Sequence, residues 1–461
     1  MTNKNIVFIL TDDQRFDTIH ALGNPDIQTP HLDELVASGI SFEQAHIPGG
    51  TSGAICMPSR AMIHSSQSLF KLENCGETIP KNHPLLGETL KRAGYQTYGI
   101  GKWHNGTDSY ARSFTGGNQI FFGGMWDHWN VPTYPYDKKG AYDDTHKFTH
   151  NPFSSNTVIE LPSQQIELGK HSTDLFTEET IRFLTQPAIK EQPFFMYTSF
   201  LAPHDPRTMP EKYQQMYQAD NLPLPENFLP EHSFEFDIRE QRDESLEKYP
   251  RQSQAIKQHL ADYYAMISHL DDAIGQIITT LKAEGLFDET IIIFSGDNGI
   301  AIGQHGLMGK QNLYEHSVRV PLIMAGPGLP QGEKRQQYVY LMDIFPTICE
   351  LVGILPPKDL AGKSLRPIIE NQESVRESLF GAFRDKIRSY KKDRYKLIEY
   401  RTQFGNYTQL FDLKDDPCES HDLSQLPSYG SLVAELKIAL KKTALEWGDL
   451  DFPQGQTFWS R

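Results

Sequence analysis

The chain has 461 residues, with Lys+Arg 44 against Asp+Glu 59 and a formal net charge of −15. That balance excludes a duplex nucleic-acid binder, which needs a broad basic surface. At 38% hydrophobic and 11% aromatic residues, a chain of this length can bury a sizeable core, so disordered, collagen-like and coiled-coil classes are excluded as well.

The first predicted element is a strand over residues 6–10, closed by Thr11-Asp12-Asp13. Five apolar residues are too few for a signal h-region or a membrane span, so the chain as written is expected in the cytoplasm, with no membrane contact. A chain whose leader had been replaced by Met1 would read the same way, which keeps a periplasmic or secreted location open. A helix follows over 29–38, with Pro30 in its first turn, then a helix over 85–93 stopped by Gly94, a strand over 96–100 and a buried strand over 194–200. Residues 257–283 carry Leu260, Tyr264, Ile267, Leu270, Ile274, Ile277 and Leu281 at helical spacing and lead past Gly285 into a strand over 290–295.

Strands separated by helices predict an α/β fold with a large, mostly parallel sheet covered by helices on both faces. From about residue 379 the pattern changes to hairpins, with strands over 387–390, 395–400 and 409–413 and an amphipathic stretch over 432–447 packed on them. Two domains are expected: 1–375, catalytic, and 376–461, a smaller α+β C-terminal subdomain built on an antiparallel sheet. Residues 130–165 and 204–257, rich in Pro with Tyr and Asn or with Glu and Gln, read as long surface insertions. Four scattered cysteines (Cys56, Cys75, Cys349, Cys418) do not make a disulfide scaffold or a Cys-rich zinc site.

In a parallel α/β sheet the ligand crevice lies beyond the carboxyl ends of the strands. The residues following the predicted strands are Asp12 and Asp13; Lys102, Trp103 and His104; His204; and Asp297 and Asn298. Three carboxylates and an amide are hard oxygen donors that suit Ca²⁺, or Mg²⁺ as second choice, over zinc.

Cys56-Met57-Pro58-Ser59-Arg60 resembles the signature of the formylglycine-dependent (type I) sulfatases, members of the alkaline phosphatase-like superfamily. The stretch 5–13, Thr29-Pro30-His31-Leu32-Asp33, 101–104 and 291–299 resemble sulfatase blocks in sulfatase order. Leu410-Phe411-Asp412-Leu413 with Asp416, Pro417, Glu419, Asp422 and Leu423 resembles the family's closing element.

The resemblance implies a sulfuric ester hydrolase whose Cys56 is oxidised by a maturase to formylglycine. In the hydrate, one hydroxyl attacks sulfur and the other, once deprotonated, collapses to the aldehyde and expels sulfate. It also implies that Asp12, Asp13, Asp297 and Asn298, together with the modified Cys56, hold one Ca²⁺. Arg60 would pair with the formylglycine oxygen, Lys102 would bind sulfate and His104 would be the base. His204 and Lys310 would contact sulfate and protonate the leaving alkoxide. Asn105, His128, Asp205, Arg207, His305 and Arg319, with Trp126 and Trp129, are candidates for the rest of the substrate, expected to be a small sulfated sugar. The charge of −15 repels a long polyanion, which favours end-acting desulfation. Two alternatives remain: a phosphonate monoester or phosphodiester hydrolase on the same scaffold, and an unmodified protein that only binds sulfated ligands. A zinc enzyme of the alkaline phosphatase type would need further His and Asp ligands and a Ser or Thr at position 56.

Overall fold

A computed structural model describes residues 4–149 and 153–461. Its main sheet has eight strands in the order Glu333–Arg335, Gly39–Phe42, Leu322–Ala325, Thr290–Gly296, Asn5–Thr11, Phe194–Ser199, Gln96–Lys102, Gly116–Phe121. The last five run parallel, in keeping with the mostly parallel sheet expected, and Leu322–Ala325 is antiparallel to both its neighbours.

The central strand Asn5–Thr11 is buried along its whole length. Because side chains alternate across a strand, Val7 and Ile9 pack on one face with Leu32, Phe176, Ile267 and Ile274. Ile6, Phe8 and Leu10 pack on the other face with Ile63, Leu86, Tyr110 and Ile344. The first cluster is the buried side of three helices, Pro30–Ser38, Ser172–Leu184 and the long Ser253–Ala283. Burial on both faces is why these strands are continuous apolar runs.

The second sheet has the order Gly405–Asp412, Tyr395–Thr402, Ile387–Lys392, Ser378–Phe383, Gly49–Gly50. Its four C-terminal strands are antiparallel neighbours, and helix Gly430–Trp447 lays Leu436, Leu440 and Ala444 against Phe380, Tyr390, Leu397 and Leu410. Its fifth strand, Gly49–Gly50, comes from the N-terminal part of the chain and pairs with Ala382 and Phe383.

The two insertions differ. Residues 204–257 run over the surface but are anchored in it, with Tyr213, Phe236, Ile238, Asp243, Glu244 and Arg251 buried. In the other stretch, Thr145–Thr149 and Val158–Pro162 form an exposed two-stranded ribbon, and residues 150–152 lie outside the described residues. All four cysteines are free thiols, and among the described residues no helix is long and apolar enough to cross a membrane.

Candidate active site

Strands Asn5–Thr11 and Thr290–Gly296 are adjacent, parallel and paired to their ends, with Thr11 opposite Gly296. The register delivers Asp12-Asp13 and Asp297-Asn298 side by side. Asp13 sits in the left-handed region (φ 63°), its N–H donating to Asp297 Oδ1 at 3.1 Å. Asn298 Nδ2 donates to Asp13 Oδ1 at 2.7 Å.

Cys56 opens helix Cys56–Ser65, and Arg60, one turn later, is fully buried beneath it. The Arg60 guanidinium donates to Asp297 Oδ2 (2.8 Å), Ser199 Oγ (2.6 Å) and the Lys102 carbonyl (3.1 Å). Its NH2 group has no hydrogen-bond partner and lies 3.9 Å from Asp12 Oδ2. A permanently charged, planar donor suits this dry position, where a partly unpaired lysine would lose its proton.

Lys102 ends its strand with Nζ between Asp12 Oδ2, the Gly124 carbonyl and Cys56 Sγ, the last at 3.6 Å. His104, in the left-handed region (φ 67°), brings Nδ1 to 3.5 Å from Cys56 Sγ. Burial, reinforced by Lys102 and Arg60, holds its imidazole well below the usual histidine range, so the ring is neutral and able to accept a proton. Burial also pushes the Cys56 thiol up, although Lys102 and Lys310 work against it. Lys310 Nζ reaches both Asp13 oxygens, at 2.5 and 2.7 Å. His204 Nε2 is 3.6 Å from Asp13 Oδ2. Thus all ten residues expected at the core of the site converge from segments spread over three hundred residues.

The donor set fits a divalent cation. Asp12 Oδ1 and Asn298 Oδ1 are buried acceptors without a hydrogen-bond partner, an arrangement that is costly unless a cation completes it. Burial and the neighbouring Asp12 push the Asp297 carboxyl up to about 7, as expected for carboxylates crowded together. Asp12, Cys56 and Asp297 each offer a ligand atom within 4.8 Å of the others, as do Asp12, Asp13 and His204.

Residues 4–354 match the sulfatase family model, and residues 303–446 match the model of the N-sulphoglucosamine sulphohydrolase C-terminal region. The chain belongs to the sulfatase family. It is 28% identical to an ulvan-active sulfatase of Formosa agariphila over 97% of this chain and 82% of that one. It is 29% identical to an arylsulfatase of Clostridium perfringens, over 95% and 94% of the two chains. A solved structure of a protein in complex with its substrate, D-glucosamine-2-N,6-O-disulfate, superposes with a TM-score of 0.75 at 23% identity, covering 98% of this chain and 99% of that one. The protein is therefore a sulfatase, a hydrolase of sulfate esters on an alkaline phosphatase-like fold.

The outer candidates divide. Asp205 lies beside His204, but its carboxylate is taken up by Arg242. His128 is buried, with Nδ1 on Ser172 Oγ (2.7 Å) and Nε2 on the His204 carbonyl (2.9 Å), so it braces the sulfatase site from behind. Asn105 is likewise turned inward, donating to the carbonyls of Met57 (3.0 Å) and Gly76 (2.6 Å). Arg207 is engaged by His259 Nδ1 at 2.8 Å and lies over the Tyr263 ring. His305 stacks on Tyr314 at 3.9 Å and lines a cleft with Tyr407 and Gln409. Arg319 lies over Phe16 and lines another cleft, of about 920 Å³, with Tyr338 and Lys391. His305 and Arg319 thus face clefts that Cys56 does not line. Trp126 and Trp129 are half-buried, packed near Phe148 and edge-on to His171. Sequence reasoning missed Ser199 and the Gly124 carbonyl, as well as the Arg242-Asp243-Glu244 triplet, which in a Glu-rich stretch reads as a solvated turn.

Proposed function

We propose that this sulfatase removes sulfate from the end of a short sulfated carbohydrate, using formylglycine matured from Cys56 and one Ca²⁺. The observation that carries the reading is the position of Cys56 Sγ between Lys102 Nζ and His104 Nδ1, at 3.6 and 3.5 Å, on the rim of the carboxylate cluster. Asp12, Asp13, Asp297 and Asn298 would hold the ion, which would supply Lewis-acid neutralisation of a sulfate oxygen, and the hydrated aldehyde at position 56 would supply the nucleophile.

The side chains divide the remaining work. Lys102 and Lys310 neutralise the other sulfate oxygens, and the unpaired N–H of Arg60 is the donor available to the modified residue 56. His104, neutral through burial, accepts the proton whose removal releases sulfate. His204 and Lys310 stand on the Asp13 side and protonate the departing alkoxide, which leaves poorly without that proton. A sugar substrate is favoured by the company the chain keeps: an ulvan-active sulfatase, and a structure bound to a disulfated glucosamine. The same reading divides the chain at 375/376 into catalytic domain and C-terminal subdomain, and it requires a maturase as partner.

The test has two stages. Protein produced with a maturase should give a peptide spanning Cys56 whose mass shows conversion of thiol to aldehyde. Matched sulfate and phosphonate esters should then be compared. Preferential turnover of the phosphonate would replace the sulfated carbohydrate with a phosphonate ester as the preferred substrate, and a persistent thiol would remove formylglycine from the reading.

A further inference from the structure

The insertion between His204 and helix Ser253–Ala283 places three consecutive charged residues against the two groups assigned to the leaving oxygen. Arg242 makes a two-pronged ion pair with Asp205, NH1 to Oδ2 at 2.7 Å and NH2 to Oδ1 at 3.0 Å. Asp205 Oδ1 lies 3.2 Å from His204 Nδ1, and the Asp205 carbonyl lies 2.9 Å from the same nitrogen. Two acceptors at Nδ1 fix the proton there and turn Nε2 toward Asp13.

Asp243 continues the chain of contacts. It pairs with Arg242 and accepts from Gln311 Nε2 at 2.7 Å, while Gln311 Oε1 accepts the backbone N–H of Lys310 at 3.0 Å. Glu244 accepts the N–H groups of Met308 (3.2 Å) and Gly309 (3.0 Å) and is paired with the fully buried Arg251. The approach is close: a Cβ at Gly309 would lie 2.4 Å from Gln311 Oε1 and 3.0 Å from Asp243 Cβ. Asp205, Asp243 and Glu244 are each at most 5% exposed. Burying three carboxylates is costly unless each is paired, and here each carboxylate, besides its arginine, contacts His204 or the Lys310 loop.

We propose that Arg242, through Asp205, and Asp243, through Gln311, are positioning residues that aim His204 and Lys310 at the oxygen of the leaving alcohol. The proposal rests on the reading of those two residues as the leaving-group proton donors. Its consequence is selective, because an oxygen that departs as a stable anion needs no proton while a poor leaving group does. Damage to the aiming residues therefore slows poor leaving groups more than good ones.

The experiment compares matured wild type with Arg242→Gln, Asp243→Asn and His204→Ala on 4-nitrophenyl sulfate, phenyl sulfate and an alkyl sulfate. Arg242→Gln and Asp243→Asn should each lose about tenfold or more in kcat on phenyl and alkyl sulfate but less than about threefold on 4-nitrophenyl sulfate. Arg242→Lys, unable to make the two-pronged contact, should recover only part of the loss. Ratios between substrates on one preparation cancel any unfolded fraction. Equal losses on all esters by Arg242→Gln and Asp243→Asn, alongside a graded loss by His204→Ala, would overturn the positioning role and leave the underlying reading intact. An ungraded loss by His204→Ala would instead remove His204 as the proton donor, and the proposal with it.

Discussion

The two insertions were alike as sequence and are opposite as structure. The ribbon of residues 145–149 and 158–162 alternates half-buried and exposed side chains along both strands, with Lys147 and Glu160 paired at 3.4 Å in solvent. Residues 204–257 instead bury Asp243, Glu244 and Arg251 and clamp the Lys310 loop through its backbone. Pairing alone does not bury a charge, as Lys147 and Glu160 show. A long insertion near a site becomes part of it when its charges find buried partners of fixed geometry.

The comparison can be broken by perturbation, and the largest effect sets the scale. Cys56→Ser should abolish multiple turnover, and Asp297→Ala or exhaustive chelation should do the same by removing the ion, measured as sulfate release over many enzyme equivalents. The next effect separates the insertions. Glu244→Ala leaves Arg251 buried without its carboxylate and should cost about 3–5 kcal/mol in urea unfolding, whereas Lys147→Ala in the ribbon should change stability by less than about 0.5 kcal/mol. Equal costs would erase the distinction.

Acid sharpens it further. Burial lowers the imidazole of His232, in the 204–257 insertion, from 6.5 to about 4. The unfolded chain therefore binds the proton first, so the stability tied to neutral His232 is complete above pH 6.5 and is lost as pH falls toward 4. The urea midpoint should drop between pH 7 and pH 5, and His232→Gln should make that drop smaller, the other buried histidines supplying the rest. The smallest expected effect is that shortening the ribbon leaves kcat on 4-nitrophenyl sulfate unchanged within about twofold, since its strands carry none of the residues around Cys56.

Most of the site was legible because it hangs on features that a one-dimensional pattern carries. Apolar runs at 6–10 and 290–295 announce buried strands, and the polar residues that stop them, Asp12-Asp13 and Asp297-Asn298, must fall at one sheet edge. Lys102 and His104 follow by the same logic, and Cys56 with Arg60 by their motif. Asp243 and Glu244 were illegible because the partners that tie them to the Lys310 loop, Gln311, Met308 and Gly309, lie more than sixty residues away, while their nearby partners Arg242 and Arg251 read as ordinary surface charges. His305 and Arg319 show the converse: a His or Arg near the site in sequence reads as a ligand group, while each packs on an aromatic ring, Tyr314 or Phe16, and lines another cleft. Antiparallel Leu322–Ala325 escaped as well, since buried strands look the same in either direction.

The strand Gly49–Gly50 joins the approach to Cys56 to an edge whose partner residues, Ala382 and Phe383, lie roughly 330 positions downstream. A chain emerging from its N-terminus makes the reactive cysteine early and the support for it late. Until those residues are made, Gly49–Gly50 lacks the strand it pairs with. The edge that leads into helix Cys56–Ser65 is therefore completed only after the chain has been made past residue 383.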